Sequence, residues 1–464
     1  MTRLRSLAAI CAAVLLSACA AVPRPPATPT ATLPPQWHAP LPHDGKLADL
    51  TVWWQQFNDP LLIDLIDAAQ TAAPTVAAAV SRIDQARAAR VIAASALLPT
   101  VDASASASRG RQPPSPAATT IQGGAQTAWE YDLFGGKRAT IDAAAARLRG
   151  AQAGWHDARV SVAAETGNAY LAYRTCERQL GVATRDAQSR AETSRLTRLS
   201  TDAGFTAPAT AALARASAAE ASARATQQRA QCDIDVKALV ALSGLPEPRL
   251  RERLEARWTE PAQFAMLALA PIPAQLLAQR PDVYQAELDV AAASAEVGSA
   301  RADQYPRLTL SGSLAIGKAR VGGETLTLDT WSIGPVAVTL PIFDGGRRAA
   351  AVEAAQARYG EAAAVYAARV RQAVREVEVA LVDLDSARAR SEDAVIAVEG
   401  YRASFVATEA RYRSGLASLI ELEDQRRVML AAETALVALQ RERVAAWIAL
   451  YRAVGGGWVR PRQG

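Results

Sequence analysis

The chain has 464 residues and a formal net charge of +5, from 51 Lys and Arg against 46 Asp and Glu. The two signs of charge are interspersed, which is typical of solvated helix faces and unlike a nucleic-acid-binding surface. The sequence has no Cys-x-x-Cys, phosphate-binding loop or Gly-x-Ser-x-Gly motif, and His38, His43 and His156 lack metal-ligand spacing. We therefore expect a protein that is not an enzyme and that uses no cofactor.

The N-terminus has the pattern of an export signal. An apolar run from Leu7 to Leu16 is too short to span a bilayer as a helix and leads into Leu-Ser-Ala-Cys. This resembles a bacterial lipobox, which predicts a lipoprotein signal peptide at 1–18 and a diacylglycerol/palmitate lipid on Cys19. The alternative is a generic secretory cleavage site with an incidental cysteine. Residues 19–45 are proline-rich and predict an extended linker.

The chain contains a tandem duplication. The stretch "LLPTVDASASAS" beginning at residue 97 resembles "QYPRLTLSGSLA" beginning at residue 304, and the double glycine at 135 matches that at 345. Further matched positions, Gly204 with Gly415 and Gly244 with Gly455, follow in the same order. The spacing predicts two structural repeats.

Each repeat predicts the same series of elements. A helix precedes two short segments with period-two alternation of apolar residues, which predicts strands with one apolar face. A glycine pair then leads into a very long helix of roughly 100 Å at ~1.5 Å per residue, and a second glycine leads into a returning helix. In the first repeat (46–245), we expect a helix at Val76–Leu98, strands at about 99–134 and long helices at about 137–203 and 206–243. In the second repeat (246–464), we expect a helix at Asp282–Gln304, strands at about 306–342 and long helices at about 347–414 and 417–454.

The long helices also show helix-packing signals. Val370, Val374, Val377, Leu381 and Leu384 follow a 4-3-4-3 spacing that predicts a coiled-coil seam. A soluble coiled-coil rod would fit this seam, but the strand pairs and the alanine-rich helices favour a wall of closely packed helices. Two hairpins give four strands, too few to enclose a pore, whereas a trimer would supply twelve.

The sequence resembles the TolC/OprM-type outer-membrane efflux channels, in their NodT-like lipoprotein branch. The resemblance rests on "WWQQFNDPLLIDLI" from residue 53, the Arg280-Pro281-Asp282 start of a helix, "FDGGRR" from residue 343 and "ARYRSGLASLIELEDQ" from residue 410. It implies a mainly α fold with a membrane β-barrel portion: a homotrimer forming a 12-stranded outer-membrane β-barrel and a long periplasmic α-helical barrel. It also implies localisation in the outer membrane, with the chain extending into the periplasm.

The same resemblance implies a function and partners. The chain would be the outer-membrane channel of a tripartite efflux system, exporting drugs and other small toxic compounds. A periplasmic adaptor and an inner-membrane pump, commonly of the RND type, would dock beneath it. Two alternatives remain open: a type I secretion exit duct, and a non-conducting periplasm-spanning structural lipoprotein.

Candidate functional residues cluster near the predicted hairpin tips at Gly204 and Gly415. The resemblance aligns Glu421 and Asp424 with acidic pore-constriction positions, and their spacing of three puts them on one helix face. Threefold symmetry would turn them into two acidic rings that favour cations. The alternative for both acids is an ordinary solvated face. Glu423 points elsewhere, as a solvated residue or an inter-helix partner.

The two repeats differ at this position. Counted from the tip glycines, the equivalents of Glu421 and Asp424 in the first repeat are Thr210 and Leu213, so an acidic gate would come from the second repeat alone. The resemblance also aligns Tyr412 and Arg413 with positions that tether the closed helices. For Arg413, pairing with a neighbouring acid is the hypothesis.

Two cysteines lie symmetrically about the first tip. Cys176 and Cys232 are each twenty-eight residues from Gly204, on opposite sides. Equal distances from the tip of an antiparallel hairpin place them at the same height, which predicts a disulfide in an oxidising periplasm. Two buried free thiols are the alternative.

Overall fold

The computed structural model describes residues 22–30, 50–111, 113, 116–255 and 280–461. The predicted signal peptide at 1–18 and the predicted lipidation site Cys19 lie outside these residues. A short 3-10 helix at Leu50–Phe57 comes first. The helices and strands that follow in the described residues are α1 (Pro60–Ala72), α2 (Pro74–Ser95), β1 (Thr100–Gly110), β2 (Ala118–Tyr131), α3 (Gly136–Asp202), α4 (Pro208–Ser243), α5 (Glu247–Glu255), α6 (Pro281–Ala302), β3 (Arg307–Val321), β4 (Glu324–Thr339), α7 (Arg347–Arg413) and α8 (Leu419–Ala453).

The observed helix bounds differ slightly from the predicted ones. The sequence predicted the helices before the strands to begin at Val76 and Asp282, but they begin at Pro74 and Pro281. Proline is favoured in the first helical turn, because its missing N–H would be unpaired there in any case. The long helices end one residue before the predicted 203 and 414.

The four strands form one antiparallel sheet in the order β1-β2-β3-β4. A two-residue turn, Gly322-Gly323 with φ of +60° and +100°, joins β3 to β4, as hairpins with a positive-φ turn require. The central pairing of β2 with β3, such as Ala118 opposite Val321, joins the two repeats. The duplication thus places one hairpin beside the other in a single sheet.

The sheet has two chemically different faces. A register shift at Leu310/Gly312 changes which residues of β4 share a face. β4 ends at Thr339, so Leu340 lies beyond the strand. By register, large apolar side chains predominate on one face, called the apolar face, which also carries Asp329 and three basic residues near the turns. The large apolar side chains are Val101, Ile121, Trp129, Leu308, Leu310, Leu314, Ile316, Trp331, Ile333, Val336 and Val338. Small and uncharged polar side chains predominate on the other face, called the polar face: Ser104, Ser106, Gln122, Gln126, Thr309, Ser313 and Ser332. Leu326 and Leu328 interrupt the polar face near the turn.

Packing divides the described chain into two compact units that cut across the repeats. The sheet unit comprises residues 22–30, 80–154 and 284–369. The tip unit comprises the remaining described residues, including 155–255 and 370–461. Each repeat contributes to both units, because the unit boundary falls within its long helix, after Gly154 in α3 and after Arg369 in α7.

In the sheet unit, an aspartate caps the start of each long helix. The Asp132 carboxylate accepts hydrogen bonds from the amides of Lys137 and Arg138 at 3.1 and 3.0 Å. The Asp344 carboxylate accepts from the amides of Gly346 and Arg348 at 3.1 and 3.2 Å. Both carboxylates satisfy amides that have no partner within the helix.

The described part of the proline-rich linker packs against the sheet unit. Residues 22–30 contain neither helix nor strand. Arg24 forms an ion pair with Asp142 at 3.0 Å, and the Tyr359 hydroxyl donates to the Pro26 carbonyl at 3.1 Å. These contacts fix the path of this segment along α3 and α7.

The predicted seam of α7 lies partly in the core of the tip unit. Val377 and Leu381 are fully buried, and Val370 and Leu384 nearly so. Val374 was predicted to belong to the seam but is only half-buried, since packing follows the actual helix period and not an idealised 3.5-residue repeat.

Arg280 explains part of the Arg-Pro-Asp motif. Its buried guanidinium pairs with Asp282 and Glu376, each at 2.8 Å, and donates to the Ala453 carbonyl at 3.0 Å. One side chain thereby holds the start of α6 against α7 and the end of α8.

No single helix of the described residues has the length and apolar character needed to cross a membrane. Among the described residues, one pair of helices, α1 and α2, meets those two criteria when taken together, across a bend of 51°.

Candidate functional site

The turns between the long helices coincide with the predicted hairpin tips. Gly204 has a φ of +81° and Gly415 a φ of +73°, in the left-handed region that favours glycine. The amides of Phe205 and Leu416 reach back five positions to helix carbonyls, at 2.9 and 2.8 Å. This is the Schellman arrangement, so both repeats end their long helix in the same way.

Both tips expose large apolar side chains at the same position. Phe205 is 86 % exposed and Leu416 is 71 % exposed, and each directly follows its tip glycine. Ile420, one turn further along, is 64 % exposed. The two tips therefore present similar chemistry to solvent despite their different sequences.

Glu421 has a local structural role at the start of α8. The Ser418 hydroxyl accepts a hydrogen bond from the Glu421 amide at 3.1 Å, and the Glu421 carboxylate accepts from the Ser418 amide at 2.8 Å. This capping box satisfies two otherwise unpaired amides. The hydrogen bond from the Ser418 amide favours the ionised carboxylate and lowers the pKa of exposed Glu421.

The first repeat lacks this device. Thr210 occupies the third position of α4, as Glu421 does in α8, but the residue before α4 is Ala207, which offers no side-chain cap. Leu213 is partly exposed on α4. The difference between the repeats therefore concerns helix capping as well as charge.

Asp424 shares the exposed face of α8 with Glu421. It is exposed and forms an ion pair with Arg427, at 3.0 Å, whose side chain is also exposed. A pair of this kind contributes little to stability, because water screens it. The carboxylates of Glu421 and Asp424 are thus accessible on one face.

Glu423 is an inter-helix partner and belongs to a buried ion cluster of Asp186, Arg190, Glu423 and Arg426. Arg190 pairs with Asp186 at 2.8 Å and also contacts Glu423. Arg426 pairs with Glu423 at 2.6 Å and is only 1 % exposed.

Polar neighbours and packing complete this buried ion cluster. The Glu423 carboxylate also accepts from Ser217 at 2.9 Å, and Arg426 donates to Ser189 at 3.1 Å. Arg224, half exposed, lies 3.7 Å from Asp186. Desolvation lowers the pKa of Arg426, and the Glu423 carboxylate opposes that shift. The cluster therefore links α8 to both helices of the first hairpin.

Tyr412 makes a second link near the tips. Its hydroxyl lies 3.0 Å from the Thr197 hydroxyl on α3, and its ring packs against buried Ala214, Leu419 and Leu422. It therefore contacts both helices of the first hairpin and the start of α8.

Arg413 forms a local ion pair. It pairs with Glu409 on its own helix at 3.1 Å and remains largely exposed. This fits the predicted pairing with a neighbouring acid, but the pair does not join two helices.

Cys176 and Cys232 form a disulfide between α3 and α4, with a Cα–Cα distance of 5.4 Å. Both residues are buried. The bond joins the two helices of the first hairpin at equal distances from its tip.

Sequence reasoning missed two features of this region. The capping box was readable as Ser-x-x-Glu, a recognised helix-start signal. The buried ion cluster had no such signal, since its members come from residues about 230 positions apart. Within the described residues, no group of three or more His, Cys, Asp or Glu could hold a metal.

A two-faced antiparallel sheet and two long helical hairpins in a duplicated chain define a channel-type transport subunit. The chain belongs to the outer membrane efflux protein family, which it matches over residues 65–245 and 272–456. It is 32 % identical to the outer membrane protein OprJ of Pseudomonas aeruginosa, over 97 % of this chain and 96 % of that protein. It is 28 % identical to the pyoverdine export outer membrane protein OpmQ of the same species, over 99 % and 98 %.

Solved structures agree with this assignment. The outer-membrane channel OprN superposes with a TM-score of 0.81 at 30 % identity, covering 93 % of this chain and 99 % of that chain. The open state of the Neisseria gonorrhoeae MtrE outer membrane channel superposes with a TM-score of 0.80 at 25 % identity, covering 96 % and 100 %. The protein is an outer-membrane efflux channel that extends into the periplasm.

Proposed function

We propose that this chain assembles as a homotrimer and forms the outer-membrane duct of a tripartite efflux system that exports small molecules. The observation that carries the proposal is the two-faced sheet. Its apolar face suits lipid, and its face of serine and glutamine side chains suits a water-filled lumen. Such a duct makes and breaks no covalent bond, so it needs neither catalytic residues nor a cofactor.

The sheet edges support a trimer. Among the described residues, β1 and β4 each pair with a strand on one side only, which leaves a row of amides and carbonyls on each outer edge. Unpaired backbone groups are costly in lipid and drive strands to close on one another. Three copies of four strands would close into a twelve-stranded barrel, an even number in the range of such barrels.

The exposed apolar tips support a partner beneath the channel. Phe205 and Leu416 present similar side chains at equivalent positions of both hairpins, so six similar tips would surround the axis of a trimer. Their apolar surface suits the tip of a periplasmic adaptor that connects the channel to an inner-membrane pump, most simply of the RND type. The names of relatives such as OpmQ, a pyoverdine export protein, agree with an export role.

The acids near the second tip would act on the permeating solutes. Three copies of Glu421 and Asp424 would form two acidic rings where the duct narrows, and the exposed carboxylates on one face of α8 suit this role. Tyr412 would tether the closed helices through Thr197, whereas the local pair of Arg413 with Glu409 would steady the tip.

Single-channel recording tests the duct directly. Purified protein in planar bilayers should give cation-selective currents, and Glu421→Gln with Asp424→Asn should lower the ratio of cation to anion permeability. A matched control, Glu392→Gln with Asp393→Asn on α7, should leave that ratio unchanged. Absence of any conductance from correctly assembled protein would favour a structural lipoprotein.

Gene deletion tests the cargo class. Loss of the gene, with its pump expressed, should raise susceptibility to antibiotics, dyes or organic solvents at least severalfold. An unchanged panel together with the loss of a secreted polypeptide would favour a type I secretion duct instead.

Lipidation at Cys19 completes the proposal. The lipobox sequence predicts cleavage before this cysteine and acylation of its thiol and amine, which would anchor the proline-rich linker to the membrane. Mass spectrometry of the mature N-terminal peptide should show the acyl mass, and Cys19→Ala should abolish it. An unmodified N-terminal peptide would contradict this part of the proposal.

A further inference from the structure

Three basic side chains lie on the apolar face of the sheet near its hairpin turns. Strand pairing places Arg109 opposite Thr119 and Thr119 opposite Arg320. Lys318 is two residues from Arg320 on β3 and therefore projects from the same face. All three basic residues are exposed. We refer to Arg109, Lys318 and Arg320 as the basic row.

The basic row lies directly beyond the apolar part of this face. Leu308 is near the helix end of β3, and Ile316 lies eight positions further along the strand. At ~3.4 Å per residue, reduced by a strand tilt of about 40°, this stretch covers roughly 20 Å of membrane, close to the ~25 Å apolar band of membrane sheets. Lys318 and Arg320 follow immediately, at the depth where hydrocarbon gives way to headgroups.

Within the described part of the chain, no ion pair or side-chain hydrogen bond involves Arg109, Lys318 or Arg320. Asp329 stands opposite Ile316 on the same face, and Glu324 pairs with Val321 on the other face. Neither acid forms an ion pair with the row among these residues, so all three positive charges are free to meet an external anion.

The end of the sheet at which the row lies is the outer one. The connections from β1 to β2 and from β3 to β4 are at this end, and the helices that flank the strands in the described residues, α2, α3, α6 and α7, join them at the other. Since the channel extends into the periplasm through its helices, the turns point to the cell exterior. A positive charge facing lipid is expensive at the bilayer centre and far less so at the interface, where it can meet an anion.

We propose that the basic row is a binding site for a phosphorylated glycolipid headgroup in the outer leaflet, of the lipid A type. The guanidinium groups suit phosphate oxygens, which they can bind in pairs. Leu314 and Ile316 below the row, and Ile121 opposite Lys318, would contact the acyl chains. The proposal rests on the membrane-facing role of the apolar face given under the proposed function.

Lipid binding to the assembled, full-length protein tests the proposal. The protein would be reconstituted in phosphatidylcholine nanodiscs and titrated with fluorescent bisphosphorylated lipid A or with the same lipid after removal of both phosphates. Wild type should bind the phosphorylated form at least tenfold more tightly. Each basic residue at an anionic surface contributes roughly fivefold to affinity, so R109Q/K318Q/R320Q should lose tenfold or more of that preference.

Two controls distinguish loss of the positive charges from loss of the folded, conducting channel. The charge-conserving variant R109K/K318R/R320K should retain most of the preference, and the neutral triple variant should still conduct in planar bilayers. Equal binding of both lipids by conducting wild type would overturn the inference while leaving the channel function intact. Equal phosphate preference in wild type and the neutral variant would also overturn it, and wild type that neither assembles nor conducts would count against the proposed function.

Discussion

Removing Glu423 should loosen the start of α8 more than any change to the exposed acids beside it. Glu423 is only 18 % exposed in its side chain and is bound by Arg190, Arg426 and Ser217. With Glu423→Ala, Asp186 would remain as the one buried acid facing two buried arginines. Breaking a buried pair in this way costs about 3–5 kcal/mol, because a charge is left without compensation.

Hydrogen exchange measures this local effect without requiring reversible unfolding of a large membrane assembly. Amides in residues 419–430 report the free energy of local opening. A loss of about 3 kcal/mol should accelerate their exchange on the order of 100-fold. The matched control is Asp424→Ala, which removes only an exposed ion pair and should change exchange by less than about fivefold.

A double variant tests whether charge balance explains the effect of Glu423→Ala. Glu423→Leu with Arg426→Met removes one acid and one base together, leaving Arg190 paired with Asp186 at 2.8 Å. Replacing a buried ion pair by apolar side chains is often neutral or stabilising, so exchange should return most of the way to wild type. If the double variant exchanges as fast as Glu423→Ala, charge balance does not explain the cluster.

Three further predictions concern the same hairpins. Cys176→Ala should lower the free energy of unfolding by ~4 kcal/mol in the chain-entropy model, and adding Cys232→Ala should lower it little further. Thermal denaturation of both variants measures these losses. Additive losses, or two free thiols in the unreduced wild type, would argue against the disulfide. Glu421→Gln should selectively destabilise the first turn of α8 above pH 5, and this difference from wild type should vanish as the pH falls through the lowered folded-state pKa of Glu421. The reason is that a carboxyl group with a depressed pKa contributes stability only while it is ionised. Hydrogen exchange measured against pH tests this, and a pH-independent difference would contradict it. Tyr412→Phe should increase the open fraction of the channel severalfold in bilayer recordings, because it removes the hydrogen bond to Thr197. An open fraction at the wild-type level would mean that packing of the ring alone holds the helices.

The arrangement at the second tip assigns different roles to neighbouring acids. Glu421 caps its helix, Glu423 holds the helices together, and Asp424 remains exposed beside Arg427. A single loss-of-function result at one of them therefore does not identify the pore constriction. Selectivity, local exchange and pH dependence distinguish the three roles.

The sequence alone determined the features that depend on local chemistry and on the duplication. Period-two alternation predicted strands, glycines predicted the tips at Gly204 and Gly415, and symmetry about the first tip paired Cys176 with Cys232. These inferences succeed because backbone preferences act over a few residues, and because equal chain lengths on two sides of a turn place residues at one height.

The tertiary structure decided the features that depend on distant register. It placed β2 beside β3, shifted the register between β3 and β4, and brought Arg190 and Arg426 onto Glu423. It also gathered Arg109, Lys318 and Arg320 on one face just beyond the apolar side chains. A side chain finds such partners only after helices and strands have packed, since a slip of one residue in a strand turns each side chain to the opposite face.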